Sequence, residues 1–204
     1  VSPTHGPQTG GTSVTVSGAN FVDGASVTFG GTTATGVSVV SPTQITCTTP
    51  SHSAGAVDVI VNNPDGQSGT GVGLYTYDPP PSVSSVSPTH GPQTGGTSVT
   101  VSGANFVDGA SVTFGGTVAT GATVVNSTTI TCTTPAHAAG QVDVVVNNAD
   151  GQSGIGVGVY TYDPPPSVSS VSPTHGPQTG GTSVTVSGAN FVDGASVTFG
   201  GTVA

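Results

Sequence analysis

Histidine, aspartate and cysteine are the side chains of this 204-residue chain that could do chemistry near neutral pH. The first 85 residues carry two histidines, His5 and His52, one cysteine, Cys47, and four aspartates. General acid–base or covalent catalysis needs such a group beside a nucleophile and a partner that stabilises developing negative charge. The chain has no Lys, Arg or Glu, and the sequence brings neither histidine beside a nucleophile. We expect no catalytic residue, no cofactor and no enzyme activity.

Metal binding would have to use the same few side chains. The two histidines are not at the short spacing of a zinc site. Residues 63–68 offer oxygen ligands at alternate positions, and Asp78 stands beside a proline run, so calcium has two candidate positions. A hairpin turn and an exposed linker carboxylate explain the same residues, and no complete calcium loop is present. We assign no metal ligand, and calcium at the domain junctions stays open.

Cys47 and Cys132 lie 85 residues apart, which places them at equivalent positions of two successive copies of a repeat. They should therefore be a domain length from each other, so we expect no disulfide within the chain. Each alternates with an isoleucine, Ile45 or Ile130, which indicates that the thiol points into a core as a small hydrophobic group. Both are predicted to be buried free thiols.

The charge of the chain limits its partners. Nine aspartates and no basic residue give a net charge of -9. Nucleic-acid binding requires cations that neutralise phosphate, and lipid-surface binding uses basic clusters. No apolar run approaches the roughly 20 residues of a membrane-spanning helix. The sequence predicts no nucleic-acid partner and no membrane insertion.

An 85-residue repeat organises the whole chain. The copies begin at Val1, Val86 and Val171; the first two differ at 13 positions, and the third matches the second over residues 171–204. A period of 85 residues is too long for a solenoid turn but suits a small β-sandwich with its own core.

Short alternating runs of Val, Ile, Thr, Phe and Tyr between Gly, Pro, Asn and Asp predict an all-β fold. In the first copy the predicted strands are residues 12–17, 26–29, 37–40, 44–48, 56–62 and 72–77, and residues 82–86 begin the next copy. The predicted inward side chains are Val14, Val16, Val27, Phe29, Val39, Ile45, Cys47, Val57, Val59, Val61, Tyr75 and Tyr77. His5 and His52 are predicted to lie in turns or loops.

Several separated motifs occur in the first copy and recur at the same spacing in the second, with one residue changed in each of two motifs. They are Pro3-Thr4-His5-Gly6-Pro7, Gly10-Gly11-Thr12, Val14-Thr15-Val16-Ser17-Gly18-Ala19-Asn20-Phe21, Val27-Thr28-Phe29-Gly30-Gly31, Gln44-Ile45-Thr46-Cys47-Thr48-Thr49-Pro50, Gly55-Ala56-Val57-Asp58-Val59 and Tyr75-Thr76-Tyr77. In this order they resemble the IPT/TIG domain family. The resemblance implies tandem immunoglobulin-like β-sandwiches and leaves the activity open, because a fold alone does not fix function.

Members of that family in transcription factors hold DNA with basic loops, and plexin-type members are rich in disulfides. This chain has neither feature, so arrays of the bacterial extracellular type are its closest analogue.

The repeat and the proline runs predict the domain boundaries. We expect a domain at 1–78 that lacks part of its first strand, proline linkers at 79–81 and 164–166, a complete domain at 82–163, and a truncated domain at 167–204. The start within a repeat, without Met or a signal peptide, favours a window of a longer array. The alternative is that another chain completes the third copy, whose inward Val184, Val186, Val197 and Phe199 lack an opposing sheet.

Proline linkers are semi-rigid spacers, which favours an extended rod over flexible beads. We therefore predict an extracellular or cell-surface structural protein that forms a fibre or stalk and self-associates through neighbouring repeats or chains. One alternative is an adhesin or polysaccharide-binding array, with loops 5–9 and 62–68 gripping the glycan at one pole. Another is a spacer attached to an extracellular enzyme.

Glycosylation is a further expectation. Asn126-Ser127-Thr128 is an N-linked sequon, present only in the second copy. Thr side chains on outward strand faces could carry O-linked sugar, or could simply favour strands and solubility. Asn126 is the glycosylation candidate.

Overall fold

The computed structural model describes residues 1–204 and consists of β-strands, turns and loops. Because it contains no helix, none is present that could span a membrane. The predicted all-β class and its tandem arrangement are confirmed, since each copy builds its own sheets.

The first copy forms two facing sheets from eight strands. These are β1 (His5–Pro7), β2 (Ser13–Ser17), β3 (Ser26–Phe29), β4 (Thr32–Thr33), β5 (Thr35–Ser41), β6 (Gln44–Thr48), β7 (Gly55–Asn62) and β8 (Ser68–Asp78). The strand orders are β2-β6-β5 and β1-β8-β7-β3-β4. Strand β1 runs parallel to the end of β8, and the other pairs are antiparallel.

The second copy repeats this arrangement and adds one strand. Its strands are β9 (Ser82–Ser87), β10 (His90–Pro92), β11 (Ser98–Ala104), β12 (Ser111–Phe114), β13 (Thr117–Val118), β14 (Thr120–Asn126), β15 (Thr129–Thr133), β16 (Gly140–Asn147) and β17 (Ser153–Asp163). The sheets are ordered β14-β15-β11-β9 and β10-β17-β16-β12-β13. The added strand β9 follows the proline linker and pairs with β11.

The third copy contains two short hairpin-like pairs. Its strands are β18 (Ser167–Ser172), β19 (Thr185–Ala189), β20 (Thr198–Phe199) and β21 (Thr202–Val203). Strand β18 pairs with β19, and β20 pairs with β21. Val184 and Val186 are half-buried, whereas Val197 and Phe199 are exposed.

The core of each complete sandwich lies between its two sheets. In the second copy Phe114 meets Tyr160 edge to face at 5.1 Å, and Tyr160 meets Tyr162 in the same way. All three rings are 0% exposed. Such aromatic pairs add to the stabilisation that comes from burying apolar area.

The predicted inward side chains of the first copy are buried, with one exception. Val39 is only half-buried because β5 is the outer strand of its sheet and is covered on one side alone. Two further predictions of local structure need correction. His5 lies in strand β1 rather than in a turn, and β8 begins at Ser68, four residues earlier than predicted. Strand β1 exists only through its pairing with the distant β8, which no local pattern reveals.

Two buried tyrosines in the second copy are expected to respond oppositely to loss of their hydroxyls. The Tyr162 hydroxyl donates to the carbonyl of Pro135 at 2.8 Å, whereas the buried Tyr160 hydroxyl has no partner. Tyr162→Phe should lower the free energy of unfolding by about 1 kcal/mol, and Tyr160→Phe should leave it unchanged or raise it. Urea unfolding followed by circular dichroism measures both, and an equal loss in the two variants would contradict the assignment.

Candidate functional site

A histidine–aspartate pair lies at one end of each of the first two repeats. The parallel register of β1 and β8 sets His5 opposite Thr76 and Pro7 opposite Asp78. His5 Nδ1 then lies 2.6 Å from Asp78 Oδ2, and His90 and Asp163 form the same pair at 2.6 Å. The histidine side chains are 65% exposed, so water screens the interaction. The pair ties the start of a repeat to its end.

The candidate calcium position at Asp78 therefore has another explanation. Its carboxylate already contacts His5, and no group of three or more His, Cys, Asp or Glu side chains is placed to hold a metal ion. A single carboxylate and an imidazole do not make the oxygen-rich shell that calcium requires.

The second calcium candidate, residues 63–68, forms the turn between β7 and β8. Asn63 Oδ1 accepts from the amide of Val22 at 3.2 Å, and Asn63 Nδ2 donates to the carbonyl of Asn20 at 2.8 Å. The Asp65 carboxylate accepts from the amide of Gln67 at 2.9 Å. These oxygens hold the turn and its neighbouring loop together, in keeping with the hairpin interpretation.

His52 is half-buried and packs on an aromatic ring. Its imidazole stacks on Tyr77 with centroids 5.1 Å apart, and Nδ1 lies 2.8 Å from the carbonyl oxygen of Ser53. His137 stacks on Tyr162 in the second copy. The sequence places this histidine in a loop but gives no sign of the stacking, since the rings meet only across the fold.

The two loops predicted to share one pole lie at opposite ends of the sandwich. In the β7–β8 hairpin, Asn62 pairs with Ser68 beside the turn, whereas Gly55 pairs with Tyr77 at the far end. His5–Pro7 runs along that far end. Loops 5–9 and 62–68 therefore cannot form one binding surface, and the predicted glycan pole is wrong as described.

A different set of loops meets at the end that carries His5. The amide of His52 donates to the carbonyl of Gln8 at 2.9 Å. Gln8, Thr9, Ser51, His52 and Ser53 then line a shallow depression of about 470 Å³. All five side chains that line it are polar.

Cys47 and Cys132 are each 3% exposed and are free thiols. Burial raises the pKa of each thiol from 9.0 to about 11. Burial also raises the pKa of Tyr77 and of Tyr162 to about 12, and neighbouring tyrosines, Tyr75 and Tyr160, add to the effect. These shifts disfavour the thiolate and phenolate forms, which are the reactive ones.

The thiols are therefore expected to be inert in the folded chain. At pH 8 the raised pKa lowers the thiolate fraction about 100-fold relative to an unperturbed thiol, and burial blocks access further. Ellman's reagent should react slowly with the native protein and rapidly with two thiols per chain in denaturant. Fast reaction of even one thiol in the folded state would show that a cysteine is exposed.

The sequon asparagine, Asn126, lies at the exposed end of β14. Thr128 donates to Asn126 Oδ1 through both its amide, at 2.9 Å, and its hydroxyl, at 2.8 Å. The residue is exposed to solvent.

The junction between the first two repeats is held by side chains that sequence reasoning did not single out. Gln152 Nε2 donates to the carbonyl of Asp78 at 3.1 Å, and Asn105 Nδ2 donates to the carbonyl of Pro80 at 2.9 Å. Gln152 is 6% exposed, since it lies against this segment. The local sequence contains no signal for either bond, because the partners lie 74 and 25 residues apart in the chain.

The chain is similar in sequence or structure to several known proteins. Human Fibrocystin-L is 26% identical over 193 residues, which cover 94% of this chain and 4% of that protein. The solved extracellular region of plexin A4, domains 1 to 8, is 24% identical over 79% of this chain and 17% of that one, with a TM-score of 0.49. The SGBP-B protein from a xyloglucan utilization locus in Bacteroides uniformis is 24% identical over 76% of this chain and 46% of that one, with a TM-score of 0.38.

The chain thus spans a small part of the curated relative it matches. A family model gives a more direct assignment, because it matches three successive stretches, residues 1–77, 81–162 and 166–204. These matches cover nearly all of the sequence and recur with the 85-residue repeat. The chain belongs to the IPT/TIG domain family.

Proposed function

We propose that this chain is part of an extracellular or cell-surface structural protein whose tandem IPT/TIG repeats build a semi-rigid rod, fibre or stalk without catalytic activity. The proposal rests mainly on the junction between the first two repeats. There Gln152 of the second repeat bonds to Asp78 at the end of β8, and Asn105 bonds to Pro80 of the proline linker, which is also stiff in itself. These bonds fix the second repeat to the end of the first and to the linker, so orientation is transmitted from one repeat to the next.

The surface chemistry supports a place outside the cell. The chain lacks Lys and Arg, so trypsin-like proteases find no cleavage site. The free thiols are buried and do not depend on a reducing compartment.

Small-angle X-ray scattering tests the rod. Replacing Pro79 and Pro80 with glycine, together with Gln152→Ala, removes both the stiff linker and a junction bond. We expect the scattering of this variant to show a wider spread of inter-repeat distances than that of the parent chain. Gln67→Ala is the matched control, because Gln67 makes the same turn contact with Asp65 but no junction contact. Equal flexibility of parent and variant would contradict the rod.

Antibodies against the second repeat test the location. The antibody should bind to source cells that have not been permeabilised, or should detect the protein in their medium. Signal that appears only after lysis would overturn the extracellular assignment.

Glycosylation of Asn126 belongs to the same proposal. The intact mass of the native protein should exceed the mass of its polypeptide, and the excess should fall when Asn126 is replaced by Gln. If the excess mass were the same in the Gln variant, any sugar would be limited to hydroxyl side chains.

A polysaccharide-binding role is a second candidate. In the second repeat, a groove of about 630 Å³ brings together hydroxyl, amide, imidazole and carboxylate groups of Ser84, Thr89, His90, Gln141 and Asp163. Such groups match sugar hydroxyls, although no aromatic ring faces the groove. A glycan array probed with the chain should show binding that His90→Ala reduces, and an empty array would remove this candidate.

A further inference from the structure

Three strands of the second repeat bring a hydroxyl, an imidazole and a carboxamide into one row across the outer face of a sheet. Thr161 on β17 is the register partner of His90 on β10 and of Gln141 on β16. Residues paired in this way point to the same face of a sheet. All three side chains line the polar groove of about 630 Å³ in this repeat. They come from distant segments of the chain, so the sequence alone does not show the row.

Asp163 orients the imidazole of this row. Its Oδ2 lies 2.6 Å from His90 Nδ1. A carboxylate can only accept a hydrogen bond, so Nδ1 donates to it and Nε2 keeps a lone pair that can accept a proton. A hydroxyl beside such an imidazole is the arrangement that makes serine and threonine nucleophilic. Thr161 is therefore the candidate nucleophile, and His90 is its candidate general base.

The carboxamide of Gln141 lies on the other side of Thr161 in the row. Its Nε2 donates to the carbonyl of Gly158 at 2.7 Å. Opposite residues on antiparallel strands have Cβ atoms about 4.5–5.5 Å apart, and the four bonds of an ester between Thr and Gln side chains span about 5 Å. Rotation of the Gln141 side chain therefore brings Cδ to Thr161 Oγ1 without a movement of the backbone.

The first repeat has the same row without the carboxamide. Thr76 is the register partner of His5, whose imidazole contacts Asp78 at 2.6 Å. The residue opposite Thr76 on the neighbouring strand is Ala56, where the second repeat has Gln141. The chain thus contains one row with all the reacting groups and one that lacks only the acyl group.

We propose that Thr161 and Gln141 become joined by a covalent ester bond, which the folded chain forms once by itself. Thr161 Oγ1 attacks Gln141 Cδ while its proton passes to His90 Nε2. The C–N bond of the tetrahedral intermediate then breaks, and the nitrogen takes the proton from His90 and leaves as ammonia. One amide and one hydroxyl become one ester and one ammonia, with no oxidant, metal or other reactant.

Strand pairing supplies much of what this reaction needs. It holds the two reacting groups together in one molecule, which replaces a collision between separate molecules. Ammonia is lost into the solvent, and its dilution draws the exchange towards the ester. The chain has no Lys or Arg to stabilise the oxyanion, so we expect the bond to form slowly after folding.

The ester adds a covalent brace between β16 and β17. It lies close to Asp163, where β17 ends and the proline linker 164–166 begins. Tension on that linker passes from Thr161 directly into β16, and residues 142–160 lie in a closed loop that the tension does not extend. The inference goes beyond the proposed rod, because a stiff junction does not require an ester.

The intact mass of the denatured chain, made in a bacterial host, tests the bond. We expect it to fall below the mass of the sequence by one ammonia. Thr161→Val and Gln141→Ala should keep the full mass of their own sequences, whereas Thr76→Val, the matched change in the first repeat, should still lose one ammonia. His90→Ala should lose it about a hundredfold more slowly, because general base catalysis contributes about 10²–10⁴-fold. A parent chain of full mass, or an ammonia loss that persists in Thr161→Val, would overturn the proposal.

Digestion locates the bond. A protease that cuts before aspartate leaves Gln141 in fragment 108–142 and Thr161 in fragment 150–162. These fragments should stay joined until mild alkali hydrolyses the ester. Their separation without alkali would place the ammonia loss elsewhere and contradict the assignment.

Adding the missing carboxamide to the first repeat tests whether the row is sufficient. Ala56→Gln places the group opposite Thr76 and should cause the loss of a second ammonia. A variant that still lost only one would contradict the chemistry assigned to the row. None of these masses depends on linker stiffness, so failure of the ester and failure of the rod in the scattering test can be told apart.

Discussion

Replacing Phe114 with alanine is expected to lower the free energy of unfolding of the second repeat by about 3–5 kcal/mol. The ring is 0% exposed and packs edge to face on Tyr160. Its loss removes buried apolar area and leaves a cavity between the two sheets. A domain of this size has a total stability of about 4–12 kcal/mol, so this loss is a large fraction of the stability of the second repeat.

Calorimetry and urea unfolding measure this effect. The transition of the second repeat should move to much lower temperature and urea concentration, and that of the first repeat should move little. Phe199→Ala is the matched control. It changes the same residue of the same motif, but Phe199 is 46% exposed, so we expect a loss below about 0.5 kcal/mol. Comparable losses in the two variants would show that the third copy buries its phenylalanine.

The second large effect concerns two adjacent glycines, Gly95 and Gly96. Both have positive φ, 69° and 82°, where an L-residue is strained by about 1–2 kcal/mol. A Cβ added at Gly95 would also collide with the backbone of Pro135 and Ala136, whereas one added at Gly96 meets nothing within 4 Å. Gly95→Ala should therefore cost about 3 kcal/mol or more, and Gly96→Ala about 1–2 kcal/mol.

Comparing the two variants separates the stability lost to the steric collision from that lost to backbone strain, because both glycines have a positive φ and a bonded amide. Each amide donates to a backbone carbonyl, of Pro92 and of Thr134, and alanine keeps that bond. Urea midpoints of the two variants provide the comparison. If both variants lost the same stability, the close approach to Pro135 would not be a constraint on the fold.

The strands and the core of each sandwich could be predicted because their signal is local. Side chains on a strand alternate between two faces, so Val14 and Val16 on β2, or Val57 and Val59 on β7, identify the buried face from spacing alone. The limits of this reasoning appear at sheet edges. Val39 has the same alternation but lies on the outer strand β5 and is half-buried, because its coverage depends on which strands neighbour it.

The candidate sites were less predictable, since they join distant parts of the chain. His5 and Asp78 are 73 residues apart and meet only through the parallel pairing of β1 and β8. Loops 5–9 and 62–68 looked equivalent as surface loops, yet the β7–β8 register places them at opposite ends. A pattern with a period of two residues cannot tell which end of a long hairpin a loop will occupy.

The amino-acid sequence by itself determined the repeat, the all-β class, most of the inward faces and the family resemblance. All of these follow from composition, periodicity or motif spacing. Only the tertiary structure decided which distant residues meet. His5 contacts Asp78, which is 73 residues away, and Gln152 donates to the carbonyl of the same Asp78. The physical reason is that these contacts depend on how distant segments pair and pack, whereas the two-residue period of a strand does not show which segment will lie beside it.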